Sequence, residues 1–365
     1  VAKAVIKIDR GGVKPVLATP RTWIAVESLA GRTTMFSLNE PLERDDLDLI
    51  DIPGNSLLLM ALLPTRPVAT GETWEQSDDV LSALLGLDAV SRSEVESLLE
   101  KVDQAAATVA MAGTLHAAVD GVATDIELKA RYRVDLASRT ITRFDLALKE
   151  DRSIGHVGPG LDVTARLSLR VKRLTVADDR RLAQLTDERV PDEGDARFKL
   201  VFEAPSGAYR LQYARNWFVV TEEPKLTVLR QVDRGELVAQ CNISTLAPKS
   251  PERATRLKEF QKDIRYSLGK RFGQFIKSTE WRDSSGNRIY RVAVRGQVDQ
   301  LPIQWRYYLL ASRDGRRLAV SFTIEDDLAA RLGDADQELV EGLAWLASPK
   351  EDTKRTAGRK AEPAR

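Results

Sequence analysis

The residues best suited to chemistry lie between positions 150 and 160, where carboxylates, a guanidinium, an imidazole and three glycines occur within one short stretch. Glu150, Arg152 and His156 are its candidate site residues, and His156 could act as the base of a hydrolase. The alternative interpretation is an ordinary connection between two strands, in which the glycines supply turn conformations. We favour the connection, because the sequence has neither a nucleophile elbow around a serine nor a phosphate-binding loop.

Histidine and cysteine, which commonly supply bases, thiol nucleophiles and zinc ligands, are rare in this chain. His116 and His156 are the two histidines, they lie in different predicted elements, and Cys241 is the single cysteine. An internal disulfide and any zinc site built on a cysteine pair are therefore excluded. Cys241 lies in an alternating apolar strand, which predicts a buried and unreactive thiol, and His116 is expected to face solvent or to be hydrogen-bonded. We expect no catalytic residues, no metal and no cofactor.

An acidic stretch precedes the first predicted helix and could suggest a calcium site. It holds Asp45, Asp46, Asp48 and Asp51. The central glycine and terminal glutamate of an EF-hand loop are missing from this stretch. The sequence therefore predicts a solvated loop.

Composition limits the classes of partner. The 55 Lys and Arg residues almost balance the 54 Asp and Glu residues, which leaves a formal charge of +1 and none of the basic bias of a general nucleic-acid binder. The longest apolar run, residues 57–63, ends at Pro64 and is far shorter than the roughly 20 residues of a membrane helix. We therefore expect neither a nucleic-acid partner nor a membrane span.

The helices and strands that position the candidate site residues are predicted to form two domains, as a length of 365 residues favours. Residues 1–176 are predicted to form a β-rich domain with two short helices, and residues 177–195 a linker. A second domain covers residues 196–348, and residues 349–365 are predicted to be a disordered charged tail. The expected fold class is α+β with antiparallel sheets.

The first domain is marked by an apolar period of two from about residue 106 to 171, which predicts long antiparallel strands. Asp120-Gly121 provides the tight turn of one hairpin, and residues 138–139 form the next turn. A sheet of such long strands is expected to curl. Two predicted helices can fill its concave face, one over residues 78–87 and one opened by a capping box of Ser91 and Glu94.

The concave face could instead be open. Its apolar residues would then line a cavity for a hydrophobic molecule, and the protein would be a carrier. The candidate ligand-binding residues on this interpretation are Leu128, Tyr132, Phe144 and Leu167.

In the second domain a helix is predicted to begin at Ser250-Pro251 and to run to Phe272. Its basic residues could bind an acidic partner, although a solvated face with intrahelical ion pairs explains them as well and is favoured. The candidate partner-binding residues are Arg256, Lys262 and Arg265.

The remainder of this domain is predicted as strands 288–298, 302–311 and 317–324, followed by a final helix over residues 328–346 that breaks at Gly333. Four aromatic residues in or beside strands could form a stacking platform, but core packing is the favoured interpretation. They are Trp217, Trp281, Trp305 and Tyr307.

Three short motifs in the second domain are similar to the PsbP-like family, which includes the photosystem II extrinsic subunit and the Ran-binding Mog proteins. The motifs are residues 202–205 (FEAP), 217–220 (WFVV) and 235–242 (GELVAQCN), followed by a long helix and three strands. The resemblance covers roughly residues 196–348 and implies an α/β/α sandwich in a non-enzymatic accessory or binding protein. The first domain more generally resembles the curled sheets of bacterial envelope proteins, including lipoprotein-carrier folds.

These observations favour a non-enzymatic accessory binding or scaffolding protein of the bacterial cell envelope. Its partner would be an unidentified protein or a hydrophobic small molecule. We expect an extracytoplasmic location, with a signal peptide preceding Val1. The alternatives are a carrier that uses the first sheet and a hydrolase that uses the 150–160 loop.

Overall fold

The computed structural model describes residues 6–8, 11–13, 17, 21, 24–29, 32–51, 53–171, 196–250 and 255–346. The predicted linker 177–195 and the predicted tail 349–365 lie outside the described residues. The first half contains β1 (Ile6–Ile8), β2 (Gly11–Val13), β3 (Ile24–Leu29), β4 (Arg32–Ser37), α1 (Arg44–Ile50), β5 (Thr73–Glu75), α2 (Asp78–Leu85), β6 (Ala89–Ser93), β7 (Glu96–Val102), β8 (Ala106–Val119), β9 (Val122–Asp135), β10 (Thr140–Arg152) and β11 (Leu161–Arg170).

The second half contains β12 (Leu200–Glu203), β13 (Tyr209–Tyr213), β14 (Trp217–Glu223), β15 (Leu226–Asp233), β16 (Glu236–Leu246), α3 (Leu257–Leu268), β17 (Phe272–Arg282), β18 (Arg288–Val298), β19 (Leu301–Ala311), β20 (Arg317–Glu325), α4 (Ala329–Leu332), α5 (Ala335–Glu341) and β21 (Leu343–Trp345). Short 3-10 turns lie at Leu59–Leu62, Gly269–Arg271 and Asp326–Leu328. The mixture of antiparallel sheets and a few helices agrees with the predicted α+β class.

The first large sheet has the strand order β11-β10-β9-β8-β7-β5 within the described residues, and β6 also pairs with β8. Alternation along β9 is as predicted, because Ile126, Leu128 and Tyr132 are buried while Glu127, Lys129 and Arg131 are exposed. Asp120 and Gly121 both have positive φ and form the predicted tight turn between β8 and β9. A bulge after Ile141 shifts the alternation of β10 by one residue, so that Ile141 and Phe144 are both buried.

The apolar face of this sheet is covered by α2 and by the turn at Leu59–Leu62. The Leu62 carbonyl anchors that turn, because it accepts hydrogen bonds from Trp74 Nε1 at 3.2 Å, Gln76 Nε2 at 3.1 Å and the Tyr132 hydroxyl at 3.3 Å. The predicted helix at 78–87 is confirmed as α2, which Ser77 caps by accepting from the Val80 amide.

The second predicted helix, opened by Ser91 and Glu94, was wrong. Residues 91–93 belong to β6, and residues 96–102 form β7. Both strands pair with β8, and their corner passes so close to Gly113 that a Cβ on this glycine would lie 2.0 Å from the Glu94 carbonyl oxygen. Tertiary pairing with β8 therefore overrides the helical spacing of the apolar residues.

The acidic stretch was also predicted incorrectly, since most of it forms α1 instead of a loop. Asp46 is buried and accepts a hydrogen bond from the Glu43 amide at 3.0 Å, which stabilises the first turn. Leu42 and Leu47 are buried in one cluster with Leu211 and Tyr213 of the second half. The 42–47 segment thus packs on the second half of the chain.

The second large sheet has the described strand order β14-β15-β16-β20-β19-β18-β17. Helix α3 covers one face through Ile264 and Leu268, which cluster with Trp305. Helices α4 and α5 cover the opposite face together with the small sheet β12-β13-β21. The four aromatic residues considered for stacking pack in these two clusters, as predicted.

The predictions for this half need three corrections. Helix α3 begins at Leu257 and ends before Gly269, and the predicted start at Pro251 lies outside the described residues. Strand β17 at Phe272–Arg282 was not predicted. The final helix is interrupted at Gly333 as expected, but residues 343–345 form β21 because they pair with β13 in the small sheet.

Candidate functional site

A cavity of about 1110 Å³ lies where the two halves of the chain meet. Its lining comes from the end of α1, from the turn between β8 and β9, from the β13-β14 region and from the turn between β15 and β16. The cavity is slightly larger than the roughly 300 to 1,000 Å³ of typical small-molecule sites. Its described polar lining residues include Arg44, Asp51, Asp88, Asp120, Lys199, Gln231 and Arg234.

Two glycine turns close one side of this space. Asp120-Gly121 and Arg234-Gly235 are both hairpin turns whose residues have positive φ. A Cβ built on Gly121 would lie 1.6 Å from the Gly235 Cα, so that the two backbones touch. Only glycine permits this approach, and the contact fixes the distance between the two sheets at this point.

The first half contributes a group of carboxylates to the cavity. Asp51 follows α1, Asp88 precedes β6, and Asp120 lies in the glycine turn, where Asp88 accepts from the Gly121 amide at 2.7 Å. Each of the three side chains remains open to the water of the cavity. Surrounding protein nevertheless raises the pKa of Asp51 and of Asp120 by desolvation, and the charge of Asp88 raises the pKa of Asp120 further.

The second half contributes two cationic side chains to the cavity lining, Lys199 and Arg234. A third cationic side chain, Arg44, comes from α1 in the first half. The Arg44 guanidinium lies 4.4 Å from the centre of the Phe218 ring and donates to the carbonyls of Arg215 and Trp217. Arg44 therefore fastens α1 to the start of β14, which places Asp51 at the cavity.

Two lining residues, Arg44 and Gln231, each have a buried atom without a hydrogen-bond partner in the described part of the chain, Nε of Arg44 and Oε1 of Gln231. The Gln231 residue is 6% exposed. A buried carbonyl oxygen without a donor is unfavourable by about 1–3 kcal/mol. A molecule in the cavity could satisfy this oxygen only after the Gln231 side chain turned toward it, because the atom has almost no accessible surface.

The loop that the sequence singled out lies elsewhere. Glu150 and Arg152 form an ion pair with each other, with Arg152 Nε donating to Glu150 Oε1 at 2.8 Å. The imidazole of His156 is exposed, and its backbone carbonyl accepts from Arg230. The loop thus joins the two halves through its backbone, and its function as a site stays a prediction.

The proposed hydrophobic ligand residues lie in the core. Leu128, Tyr132 and Phe144 are at most 1% exposed, and Leu167 is partly buried against the same cluster. Because Leu59 and Leu62 belong to that cluster, a hydrophobic ligand would have to displace the turn at Leu59–Leu62.

The basic helix is α3. Arg256 lies at its N-cap, Lys262 is exposed, and the Arg265 guanidinium lies 5.2 Å from the centre of the Phe272 ring. Its role in partner binding stays a prediction.

The remaining chemistry-bearing residues lie apart from the cavity. His116 is exposed and its Nδ1 lies 2.6 Å from Asp125 Oδ1, while Cys241 is fully buried and burial raises its pKa. Both placements are as predicted. The described ranges contain no group of three or more His, Cys, Asp or Glu residues arranged to hold a metal ion, and none of their helices has the length and hydrophobicity of a transmembrane segment.

Sequence reasoning missed the cavity because its residues come from segments more than a hundred positions apart. The two glycine turns were the available signal. Asp120-Gly121 was recognised as a turn, whereas Arg234-Gly235 was not. That these turns meet follows only from the tertiary structure.

No family model and no curated protein sequence matches the chain. One similar solved structure is from Bacteroides thetaiotaomicron, at 12% identity and a TM-score of 0.29, over 42% of this chain and 50% of the other. Another is the solution structure of cyanobacterial PsbP (CyanoP) from Synechocystis, at 13% identity and a TM-score of 0.32, over 44% of this chain and 99% of the other. A PsbP protein is thus among the similar structures, as the sequence resemblance led us to expect, but similarity at this level carries no argument about function.

Proposed function

We propose that this chain is a non-enzymatic binding protein that holds a polar small molecule in the cavity between its two sheets. The observation that carries the proposal is the cavity of about 1110 Å³, whose lining brings carboxylates and cationic side chains together. Concave sites with a few convergent polar groups at a junction between domains are typical of ligand binding.

The charges around the cavity indicate the class of ligand. Carboxylates line it at Asp51, Asp88 and Asp120 of the first half and at Asp233 and Glu338 of the second half, and cationic side chains line it at Arg44, Lys199 and Arg234. A molecule that carries both an amino group and an acidic group can pair with both kinds of charge. Amino acids and short peptides have this chemistry.

Binding without turnover is favoured by the composition of the lining. Its described residues include no histidine and no cysteine, so that the commonest general base and the strongest thiol nucleophile are lacking there. In line with the sequence resemblance, we further propose an accessory role in the bacterial cell envelope and an extracytoplasmic location.

Native mass spectrometry of the protein purified from its host tests this function. We expect an adduct below about 1 kDa on the wild-type chain, in the range that a cavity of this size accommodates. Ala89→Trp should abolish the adduct, because Ala89 lines the cavity. Thr114→Trp is the matched control, since Thr114 is exposed on a neighbouring strand outside the cavity lining.

The alternatives give different results in the same experiment. An apolar lipid adduct that persists in Ala89→Trp would support the carrier that uses the first sheet. Absence of an adduct, together with substrate turnover that His156→Ala abolishes without a change in melting temperature, would support the hydrolase. Either result would contradict the proposed function.

A further inference from the structure

The exposed face of the first large sheet carries two rows of like charges in register. Arg133, Arg143 and Arg170 lie directly opposite one another on β9, β10 and β11. A second row lies eight residues away from the arginines along each strand and consists of Asp125, Asp151 and Asp162, which are opposite one another in the same way. Like charges in directly opposite positions destabilise a sheet unless opposite charges lie nearby.

The residues between the two rows complete a symmetric pattern. The central row is Lys129, Ala147 and Arg166, which are in register midway between the arginine row and the aspartate row. Around it, Arg131 and Glu127 lie two residues to either side on β9, and Asp145 and Lys149 lie two residues to either side on β10. Each of these pairs has opposite charges.

The face is therefore antisymmetric in charge about its central row. A two-fold axis can lie between two such faces and run perpendicular to the strands. A second copy generated by this axis would place each strand against the same strand of the first copy, running in the opposite direction. Every arginine of the arginine row would then face an aspartate of the other copy, and every aspartate of the aspartate row would face an arginine of the other copy. Arg131 would face Glu127, and Lys149 would face Asp145. Self-complementarity of this kind characterises a two-fold interface.

From this pattern we propose that the outer face of β9, β10 and β11 is a homodimer interface, in which the arginine row of one copy pairs with the aspartate row of the other. The small side chains of Ala110, Ala112 and Ala147 form the floor of a shallow groove of about 940 Å³ on this face and allow a close approach. The interface is independent of the cavity and of the ligand proposed above.

Existing ion pairs do not prevent this. Arg143 lies 2.6 Å from Asp145, Arg133 lies 3.6 Å from Asp103, and Asp125 lies 2.6 Å from the His116 imidazole, with all six side chains more than a third exposed. Exposed pairs of this kind are weak and exchange readily for pairs with another surface. Arg170, Asp151 and Asp162 form no ion pair with another described residue.

A pair of like charges opposes the dimer at its axis. Lys129 and Arg166 lie on the central row, so that each would face its own copy. Arg166→Ala should therefore tighten the dimer.

The size of the face sets the expected strength. Three strands spaced about 4.8 Å apart and about nine residues at about 3.4 Å each cover roughly 440 Å² per copy. The total of roughly 900 Å² is in the range of weak interfaces, and charge pairs dominate it. We therefore expect a dimer in the micromolar range that dissociates as the salt concentration rises.

Sedimentation velocity on the full chain with complementary charge variants tests the proposal. Variant A carries Arg133→Asp and Arg143→Asp, and variant B carries Asp125→Arg and Asp151→Arg. Each alone should be at least about tenfold weaker in self-association than the wild type, because like charges then meet across the axis. A 1:1 mixture of A and B should form a heterodimer, since each supplies what the other lacks.

The controls separate charge pairing from misfolding and from a different interface. Arg256→Glu with Lys262→Glu on α3 should leave the dimer unchanged, and circular dichroism should confirm that A and B are folded. A wild-type chain that stays monomeric at about 100 μM in low salt, or a mixture of A and B that does not associate, would overturn the proposal. A dimer that A and B leave intact would overturn it as well.

Discussion

Replacing Asp336 with alanine should destabilise the second half of the chain by about 3–4 kcal/mol. The Asp336 carboxylate is fully buried between α5 and the large sheet. Its Oδ2 accepts from Arg291 at 2.9 Å and from the Tyr308 hydroxyl, and its Oδ1 accepts from Arg306. One carboxylate thus holds two guanidinium groups and a phenol against the helix.

The magnitude follows from what remains after the substitution. Removing one partner of a buried ion pair costs about 3–5 kcal/mol, because the other charge stays buried without compensation. The Arg306 and Arg291 side chains are 9% and 17% exposed, so that water reaches them poorly. Arg306 keeps the carbonyls of Gly333 and Ala329 as acceptors, which places the expected loss in the lower part of the range.

Urea unfolding followed by tryptophan fluorescence measures the effect, because Trp217 and Trp305 are buried in the same half. Asp326→Ala is the matched control: it removes an aspartate that pairs with Arg295, at 50% exposure of the arginine side chain, and should cost less than about 1 kcal/mol. If the two variants unfold within about 1 kcal/mol of each other, the Asp336 cluster does not hold the helix to the sheet and the reasoning is refuted.

Three further predictions concern the glycine turns, the carboxylates and the thiol. Gly121→Ala and Gly207→Ala should each lower the free energy of unfolding by about 1 kcal/mol, because both glycines have a left-handed backbone. Of the two, only Gly121 has a neighbour within 4 Å, so Gly121→Ala should lose at least as much stability again in thermal unfolding. Equal losses in the two variants would show that the turns do not touch. Desolvation raises the pKa of Asp120, so the folded state binds more protons there and loses stability as the pH rises. Asp120→Asn should therefore raise the melting temperature at neutral pH, and the gain should vanish in acid below the ordinary aspartate pKa of the unfolded chain. Cys241 should resist Ellman's reagent in the native protein and react fully in urea, and native labelling at the rate of a free thiol would contradict its burial.

Local patterns in the sequence identified the strands that lie between solvent and core. Along β9, Leu128 and Tyr132 alternate with charged residues, and this period of two is set by the strand itself whatever it pairs with. Asp120-Gly121 was recognised as a turn for a similarly local reason, because few residues other than glycine accept its φ. The burial of Cys241 followed from the apolar residues around it.

Local patterns failed where pairing partners decided the structure. Val95, Leu98, Leu99 and Val102 have helical spacing, yet β7 forms because the edge of β8 offers backbone hydrogen bonds to this segment. Residues 343–345 likewise leave the predicted helix to pair with β13.

The sequence by itself determined which faces of the long strands such as β9 are apolar, where the Asp120-Gly121 turn falls, and that Cys241 is buried, since each depends on neighbours within a few positions. Only the tertiary structure decided that Gly121 meets Gly235, that Gln231 is left without a donor at a cavity, and that Arg133, Arg143 and Arg170 form one row. These features depend on the register between strands and on contacts between distant segments, and no local propensity encodes either.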